Sequence, residues 1–264
     1  MRTSGVSGET AGTTLHSDQV AVRKPWSYAI AFSQTIRHLG WLNGCLYALA
    51  RLLTMVSGDR VRLHKYYLVA QPVPEKRWLP SHRGQTFEIR QVTELDPVIR
   101  LFPRPEWTTR YRFKQGAVCL AALKEGLPVG FLWLLLGSYQ EDEVRCRYVP
   151  LPVGKSAWDF DVYVEPEHRN GIAFLKLWDE ANRFLVAHQI QWSLSRISAF
   201  NSGSILSHAR MGTQRIGAVT FLSIGSWQIA ASTVPPYLHL STHADSFPTF
   251  ALNPELPHQA ERAH

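Results

Sequence analysis

The segment with the clearest chemical potential runs from Asp161 to Ala173. Its apolar start predicts a strand that ends at Val164, followed by a turn and by a helix that opens with Gly171. The first turn of a helix carries unpaired N–H groups and a partial positive charge, which together bind anions. Small residues in that turn would let a pyrophosphate approach the backbone, and Arg169 adds a formal charge. The pattern therefore predicts a site for a cofactor with a nucleotide tail.

Two other nucleotide-binding loops do not fit this segment. A P-loop requires Gly-Lys-Ser/Thr, which does not follow Gly171. A dinucleotide-binding fingerprint requires two further glycines before it. The anion site is thus predicted from the strand, turn and helix order alone.

A second polar segment runs from Asn201 to Gly212 and is predicted to form a helix. His208 lies on it, seven residues after Asn201. An imidazolium can donate a proton near neutral pH, because its unperturbed pKa is about 6.5. A histidine on an exposed surface is one interpretation of His208.

Two carboxylates precede the turn in the predicted strand. Strand alternation places Asp159, Asp161 and Tyr163 on one face of that strand. If helices cover both faces of the sheet, Asp159 and Asp161 are candidate bases in a cleft. The alternative is that they pair with Arg145 or Arg147 on a neighbouring strand.

An acidic run, Glu141 to Glu143, could meet an amine substrate, although a solvated loop is the commoner meaning of such a run. Arg110, Tyr111 and Arg112 are predicted on the helix that precedes the first hairpin. A solvated helix face is the simplest interpretation of that trio.

The first segment resembles the signature of the GNAT (Gcn5-related N-acetyltransferase) superfamily. In that family a strand ending in Val-x-Pro is followed by Gln/Arg-x-x-Gly-x-Gly/Ala at the start of a helix. His168 stands at the first position of the motif, where Gln or Arg is usual. The remaining positions are filled by Arg169, Asn170, Gly171, Ile172 and Ala173.

The second segment is similar to the Asn-x-x-Ala/Ser-x-x-x-Tyr-x-x-x-Gly motif of the same family. Asn201, Ser204 and Gly212 match it, and His208 stands where Tyr is usual. In the family that Tyr protonates the leaving thiolate, so the resemblance makes His208 a candidate general acid. The strand and helix that begin at Phe87 also resemble the first unit of the family. The resemblance covers about residues 87–228.

The resemblance implies an acyl-CoA-dependent N-acyltransferase that transfers an acyl group to an amine by direct attack. The co-substrate would be acetyl-CoA or another acyl-CoA, held where two strands separate, and a backbone N–H near Val162 would bind the carbonyl oxygen. Among the candidate catalytic residues, His208 is implied by the resemblance, and Asp161 and Asp159 come from the strand alternation. Implied cofactor-binding residues are Val162, Val164, His168, Arg169, Asn170, Gly171, Ile172, Ala173, Asn201 and Ser204.

The order of predicted elements is strand, two helices, antiparallel strands, strand–helix–strand–helix, and closing strands. This order predicts an α/β fold with a GNAT-like mixed, mostly antiparallel sheet flanked by helices, and an N-terminal helical extension. Residues 1–25 are interpreted as a disordered tail and 26–85 as the extension, with one strand and a linker. Residues 86–230 form the predicted acyltransferase domain, and 231–264 a C-terminal tail that is expected to be loose from Thr242 on.

The predicted helix at Leu39 to Val56 is unusually apolar. Its length is marginal for a bilayer, and Arg51 lies inside it. Packing on the domain is the first interpretation, and peripheral membrane contact through residues 36–56 is the second. The second would suit an acyltransferase that uses a longer acyl donor on a lipid-linked or polysaccharide precursor.

Composition narrows the remaining classes. The net charge is +7, but the cations are scattered and no basic arm is present, so nucleic acid is not expected as a partner. Cys45, Cys119 and Cys146 form no Cys-x-x-Cys pair, which argues against a metal site and favours a reducing cytoplasm, with the inner membrane face as an alternative location. A small amine or a lipid- or sugar-linked amine is the expected acceptor, and a non-catalytic CoA- or partner-binding protein is the other alternative.

Overall fold

The structure, a computed structural model, describes residues 39–80, 82–169 and 171–256. The predicted tail at 1–25, the part of the extension before Leu39, Asn170 and the last eight residues lie outside the described residues.

The described helices follow the apolar periodicity of the sequence. In α3 the buried residues Ala173, Leu177, Ala181 and Leu185 recur every four positions. The first of the two helices predicted after the strand at Phe87 is instead a short 3-10 helix capped by Asp96, whose carboxylate accepts a hydrogen bond of 3.1 Å from the N–H of Val98. The α-helices are α1 (Trp41–Ser57), α2 (Glu106–Lys114), α3 (Ile172–Ala187) and α4 (Ser202–Arg210), and 3-10 helices span Pro97–Leu101 and Pro166–His168.

Most of the chain's strands belong to one large sheet, with the order β11-β10-β9-β1-β8-β7-β4-β3-β2. A small second sheet has the order β12-β6-β5. The strands are β1 (Val61–Pro72), β2 (Glu88–Val92), β3 (Val118–Lys124), β4 (Leu127–Leu135), β5 (Tyr139–Gln140), β6 (Arg147–Pro150), β7 (Ser156–Val164), β8 (Trp192–Ser198), β9 (Gln214–Ile224), β10 (Trp227–Ser232), β11 (Leu238–Ser241) and β12 (Thr249–Leu252).

The large sheet is mixed and mostly antiparallel, as predicted. Among the described strands, β7 and β8 are the only parallel neighbours in it, and the other neighbouring pairs are antiparallel. A parallel pair needs a crossover, which is supplied by α3. The α/β prediction for the region after Phe87 is therefore confirmed.

The strand at Val61–Pro72 is the first correction. The sequence analysis placed it in an extension outside the acyltransferase domain. In the structure β1 lies inside the large sheet, antiparallel to both β8 and β9. Its alternate residues Tyr66, Leu68 and Ala70 are buried in the main core, which explains why this strand needs neighbours on both sides.

The C-terminal region is the second correction. Residues 231–264 were expected to be a tail outside the domain, loose from Thr242 on, yet β11 extends the large sheet and β12 pairs in parallel with β6. Phe250 of β12 is fully buried against Tyr148 and Phe221. This buried aromatic residue anchors the segment. The polar and proline-rich composition around it gave no indication that the segment would be buried.

Two apolar cores lie on opposite faces of the sheet. One contains Trp133, Trp158 and Phe221 and is covered by the loop elements around α2 and the small sheet. The other contains Leu132, Leu177 and Trp178 and is covered by α3. Residues on β7 and β8 therefore meet different surroundings depending on the face they occupy.

Helix α1 packs on the α3 side of the sheet. The amide of Asn43 donates a 2.7 Å hydrogen bond to the Tyr67 hydroxyl, and Lys65 donates one of 3.0 Å to the Asn43 side-chain oxygen. Gly58 ends the helix in the left-handed conformation, which suits glycine. Within the part of the chain that the structure describes, no helix has the length and apolar character needed to span a membrane.

Candidate active site

The parallel strands β7 and β8 pair over only three residues. Their register runs from Ser156 opposite Trp192 to Trp158 opposite Leu194, and it stops there. Beyond Trp158 the two strands continue to Val164 and Ser198 without pairing each other. A gap therefore opens in the middle of the sheet at the carboxyl ends of two parallel strands, where open α/β sheets commonly bind ligands.

A cavity of about 420 Å³ occupies this gap. It brings together six of the residues that were singled out in the sequence: Asp159, Asp161, Val162, Asn201, Ser204 and His208. The remaining lining comes from β8, the loop after β5 and the region of α2, through Arg104, Arg112, Tyr139, Glu141, Asp142, Glu143, Phe160, Ser195, Arg196, Ile197 and Ser198.

A β-bulge shapes the β7 wall of the cavity. The register with β4 shifts between Phe131, opposite Tyr163, and Trp133, opposite Phe160. Asp161 has a φ of 46°, in the left-handed region, and Val162 has no register partner in β4 or β8. Bulges withdraw backbone groups from the ladder beside many active sites. The N–H of Val162, expected to bind a carbonyl oxygen, thus lies at the bulge.

The bulge also corrects the predicted alternation. Asp159, Asp161 and Tyr163 were expected on one face, but Asp159 accepts from Ser193, whereas Asp161 is bound to arginines on the other face. Tyr163 stacks on Phe131 on that second face. An extra residue in one strand shifts the period of two, so the two carboxylates point to opposite sides of the sheet.

Asp159 is buried with polar neighbours on the α3 side. It is 2% exposed and accepts a 2.6 Å hydrogen bond from the Ser193 hydroxyl. Burial raises the pKa of Asp159 to about 7, although hydrogen bonds from Ser193 and Ser195 oppose this shift. A carboxyl that titrates near neutral pH in a cavity can accept and return a proton.

Asp161 is held in an ion-pair cluster. Arg104 donates from Nε at 2.8 Å, and Arg112 of α2 donates to the same carboxylate. Burial alone would raise the pKa of Asp161, but hydrogen bonds and charge from Arg104 and Arg112 outweigh it and lower the pKa. Asp161 is therefore a poor base. Neither Arg145 nor Arg147, the partners weighed from the sequence, is among its partners: both bind backbone or amide oxygens elsewhere.

His208 is buried, not exposed. It is 6% exposed and meets Trp178 and Phe174 edge to face, with ring centroids at 5.7 and 6.4 Å. Desolvation by burial lowers the pKa of His208 to about 4. The imidazole is therefore neutral at pH 7, which argues against the imidazolium acid that the sequence suggested.

Asn201 and Ser204 sit where α4 begins. The side-chain oxygen of Asn201 accepts a 3.0 Å hydrogen bond from the N–H of Ser204 and caps the helix. Among the described residues the side-chain amide nitrogen of Asn201 has no hydrogen-bond partner, so it is available to a ligand in the cavity. Capping and ligand binding can thus coexist at this residue.

The turn after β7 forms as predicted. Gly171 is the N-cap of α3 and has an extended conformation. No described side chain caps this helix, so the N–H groups of Ile172 and Ala173 at its start face outward without a side-chain partner. Arg169 donates to the backbone oxygen of Val164 at 2.9 Å, which holds the turn against the end of β7. Strand β7 ends at Val164, two residues after Val162, and the described turn residues that follow lie outside the cavity lining.

His168 has a packing role in this turn. Its ring meets Phe87 edge to face at 5.6 Å. The contact joins the turn to the start of the first predicted unit. A side chain at this position can thus differ from Gln or Arg without affecting the backbone of the turn.

Several cavity residues were missed or only half recognised from the sequence. Arg196 donates to Glu141 at 2.6 and 2.9 Å and to Glu143 at 2.8 Å, and Arg112 binds Asp142 at 2.7 Å. The acidic run is therefore part of the cavity wall and not a solvated loop. Nothing local in the sequence marks Arg104 or Arg196, because the carboxylates that they bind lie more than 50 positions away. Tyr139 stacks on Trp158 and Phe160, which lie on a different strand. Tyr139 has a buried hydroxyl without a hydrogen-bond partner among the described residues.

No protein-family model and no curated protein sequence matches the chain. Solved structures do. A functionally unknown conserved protein from Staphylococcus epidermidis ATCC 12228 has 12% identity and a TM-score of 0.42, over 66% of this chain and 67% of that one. A tandem GNAT protein from the clavulanic acid biosynthesis pathway has 12% identity and a TM-score of 0.40, over 61% of this chain and 54% of that one.

A GCN5-related N-acetyltransferase from Ralstonia eutropha JMP134 has 18% identity and a TM-score of 0.33, over 48% of this chain and 91% of that one. This chain spans about half the length of the tandem protein. With identities from 12 to 18% and TM-scores no higher than 0.42, these proteins say nothing about its substrate.

Proposed function

We propose that this chain is an acyl-CoA-dependent N-acyltransferase that transfers an acyl group, with acetyl-CoA as the expected donor, to an amine. The observation that carries the proposal is the gap between β7 and β8, where the parallel pairing stops at Trp158 and a cavity of about 420 Å³ begins. The gap accommodates an extended pantetheine arm, and its walls hold the groups that amide formation needs.

The cofactor fits the gap and the turn together. In this proposal the pantetheine arm lies between β7 and β8, with the Asn201 amide as a hydrogen-bond donor beside it. The pyrophosphate lies at the start of α3, where Gly171 leaves the backbone accessible and the helix dipole favours an anion. Arg169 stands at the same turn as an exposed cation.

The cavity residues provide a complete proton path. Asp159, with its pKa near 7, takes a proton from the amine, whose nitrogen then attacks the thioester carbon. The N–H of Val162 at the bulge stabilises the oxyanion while the C–N bond forms. The C–S bond then breaks, and the proton that the attacking nitrogen still carries beyond the neutral amide passes to the thiolate, while Asp159 releases its own proton to solvent. His208, which is neutral, donates a hydrogen bond to the leaving sulfur rather than a proton.

The charges of the cavity favour a cationic acceptor. Four carboxylates line it apart from Asp159, and they face three arginines: Glu141, Asp142, Glu143 and Asp161 against Arg104, Arg112 and Arg196. One negative charge is thus in excess before Asp159 ionises. An amine arrives protonated, so this excess attracts it, and Asp159 then removes the proton.

Calorimetric titration with CoA, acetyl-CoA and a long-chain acyl-CoA tests the proposal. Micromolar binding of acetyl-CoA, followed by amide formation with a panel of small amines, is the expected result. Preference for the long chain would instead favour a lipid-linked reaction. No binding to any of the three would contradict the proposal. Binding without transfer to any amine would leave a CoA-binding protein.

A further inference from the structure

The outward side of α1 is apolar. Its inward side contacts the sheet through Asn43, and Tyr47 packs edge to face on Phe200 at 5.5 Å. A surface helix normally presents polar residues to water. Here the exposed large side chains on this helix of 17 residues are Trp41, Leu42, Leu49, Leu52, Met55 and Val56.

The same face of the sheet continues this apolar surface beyond α1. Lys65 and Tyr67 of β1 point towards α1, because both side chains form hydrogen bonds with the side chain of Asn43. Antiparallel register partners share a face of the sheet. The residues paired with Leu63, Lys65 and Tyr67 therefore also lie on the α1 side. They form a row across four strands, in which each residue is the register partner of the next: Leu63, Leu222, Ile229 and Leu240.

A second row adds to the first. Ile224 is the partner of Val61 on one side and of Trp227 on the other, and Leu238 lies on the same face opposite Ala231. Trp227 is 55% exposed and Leu238 is 72% exposed. The apolar surface is defined as the exposed side of α1 together with these two rows and Leu238.

The elements that carry the apolar surface are free of acidic residues. Helix α1 and strands β1, β9, β10 and β11 contain no Asp or Glu, and their cations on the α1 side are Arg51, Lys65 and Arg215. Arg62 has the opposite parity from Lys65 and lies on the other face of the sheet. Lys65 and Arg215 both lie against the ring of Tyr67, on the α1 side. The turn between α1 and β1 adds Asp59 and Arg60, which cancel.

We infer that the apolar surface docks on a lipid bilayer that contains anionic headgroups. Apolar side chains with two exposed tryptophans insert at the boundary of the acyl chains, and the accompanying cations are attracted by the anionic surface. Association with a second copy through the same surface would bring these cations together with no carboxylate to oppose them. Charge complementarity therefore favours lipid over a copy of this chain.

The apolar surface borders the candidate active site. Tyr47 of α1 packs on Phe200, and the next residue, Asn201, lines the cavity. A bilayer bound to α1 thus lies beside the cavity without occupying it.

Vesicle co-sedimentation of the full chain tests this inference without any acyl-CoA, so it does not depend on the proposed reaction. The vesicles are phosphatidylcholine, with and without phosphatidylglycerol. We expect binding to the anionic vesicles that weakens with added salt, and much weaker binding to the neutral ones.

Variants locate the contact. Leu42→Glu combined with Leu238→Glu should weaken binding to anionic vesicles by about tenfold or more, because both positions place a carboxylate at the bilayer. The control is Leu95→Glu combined with Leu127→Glu, two exposed leucines away from the apolar surface, which should bind like the unchanged protein.

Three results would overturn the inference: no binding to anionic vesicles, equal binding by the two double variants, or equal binding to neutral and anionic vesicles. A concentration-dependent dimer in sedimentation velocity that Leu42→Glu with Leu238→Glu abolishes, without vesicle binding, would assign the surface to a second copy. Capture of an acidic protein without vesicle binding would likewise refute the lipid assignment.

Discussion

The hydroxyl of Ser193 donates a 2.6 Å hydrogen bond to the carboxylate of Asp159 at the place where β7 and β8 cease to pair. Ser193 is the last-but-one residue of β8 in register with β7, and Asp159 is the first residue of β7 beyond that register. The bond thus fixes a titrating carboxyl at the root of the gap. The same hydrogen bond lowers the pKa of Asp159, which burial has raised.

Asp159→Asn should abolish most acyl transfer while leaving CoA binding intact. The amide is nearly isosteric with the carboxyl and still accepts from Ser193, but it cannot take a proton from the amine. Loss of a positioned base typically costs about a hundredfold or more in turnover. Steady-state kinetics beside calorimetry with CoA would check this. Unchanged turnover would remove Asp159 from the mechanism.

Ser193→Ala should move the pH dependence of the reaction. Removing a hydrogen bond that stabilises the carboxylate raises the pKa of Asp159 further above about 7. The rate rises with pH as the base ionises, so its midpoint should shift to higher pH. A pH–rate profile of both proteins measures the shift, and a purely structural serine would leave the midpoint in place.

Asp159→Asn should also stabilise the fold above neutral pH. The folded pKa of about 7 exceeds the ordinary 3.8, so the folded state holds its proton where the unfolded state has lost it. Stability of the unchanged protein therefore falls from about pH 4 to pH 7, by about 4 kcal/mol in total. Urea denaturation at pH 8 should show the variant more stable, and the difference should shrink towards pH 4.

His208→Phe should lower turnover by about tenfold and spare CoA binding. The phenyl ring keeps the contacts with Trp178 and Phe174 but loses the N–H that donates to the leaving sulfur, a hydrogen bond to a developing charge. Because His208 is neutral at pH 7, the profile of kcat should show no limb near pH 6.5 that depends on His208. Equal turnover in the variant would exclude His208 from catalysis.

The same substitution should change stability in acid. The folded pKa of about 4 lies below the ordinary 6.5, so the unfolded state binds the proton first. Stability due to this histidine is present above pH 6.5 and is lost as pH falls towards 4, by about 3 kcal/mol. His208→Phe should not show that loss. Denaturation at pH 7 and pH 4.5 compares the two proteins, and an equal loss in both would contradict the assigned pKa.

Asp161→Ala should destabilise the protein by about 3 to 5 kcal/mol. It leaves the buried Arg112 with Asp142 as its remaining carboxylate partner and places a side chain with a Cβ and no hydrogen-bonding group at a φ of 46°. Asp161→Asn should cost less, since Asn tolerates the left-handed region and still accepts from the arginines. Chemical denaturation of both variants separates the two contributions. Equal costs would mean that charge alone matters.

The sequence predicted the parts of the fold that depend on local periodicity. Helix α3, the hairpin of β3 and β4, and the turn at Gly171 follow from spacing and capping within a few residues. Pairings that depend on distant segments were not predictable. β1 lies between β8 and β9, with partners more than 100 positions away, and its own residues give only a strand signal.

The candidate site divides in the same way. Asn201 and His208 were found because they lie in a motif of fixed spacing, and Asp159 because it lies in the predicted strand before the turn. Their chemistry was not found, because a carboxyl with pKa near 7 and an imidazole with pKa near 4 result from burial by residues elsewhere in the chain. The bulge at Asp161 was also invisible, since a single extra residue in one strand has no mark in the strand's composition.

Gly171→Leu should abolish binding of acetyl-CoA. A Cβ at Gly171 would lie 3.3 Å from the backbone oxygen of His168. Small shifts can relieve this contact, so the variant protein should still fold. A longer side chain would then cover the N–H groups of Ile172 and Ala173, where the pyrophosphate is proposed to lie. Gly137→Leu is the matched control, because a Cβ there meets no atom within 4 Å. Calorimetry should show binding lost in the first and kept in the second; binding retained by both would place the pyrophosphate elsewhere.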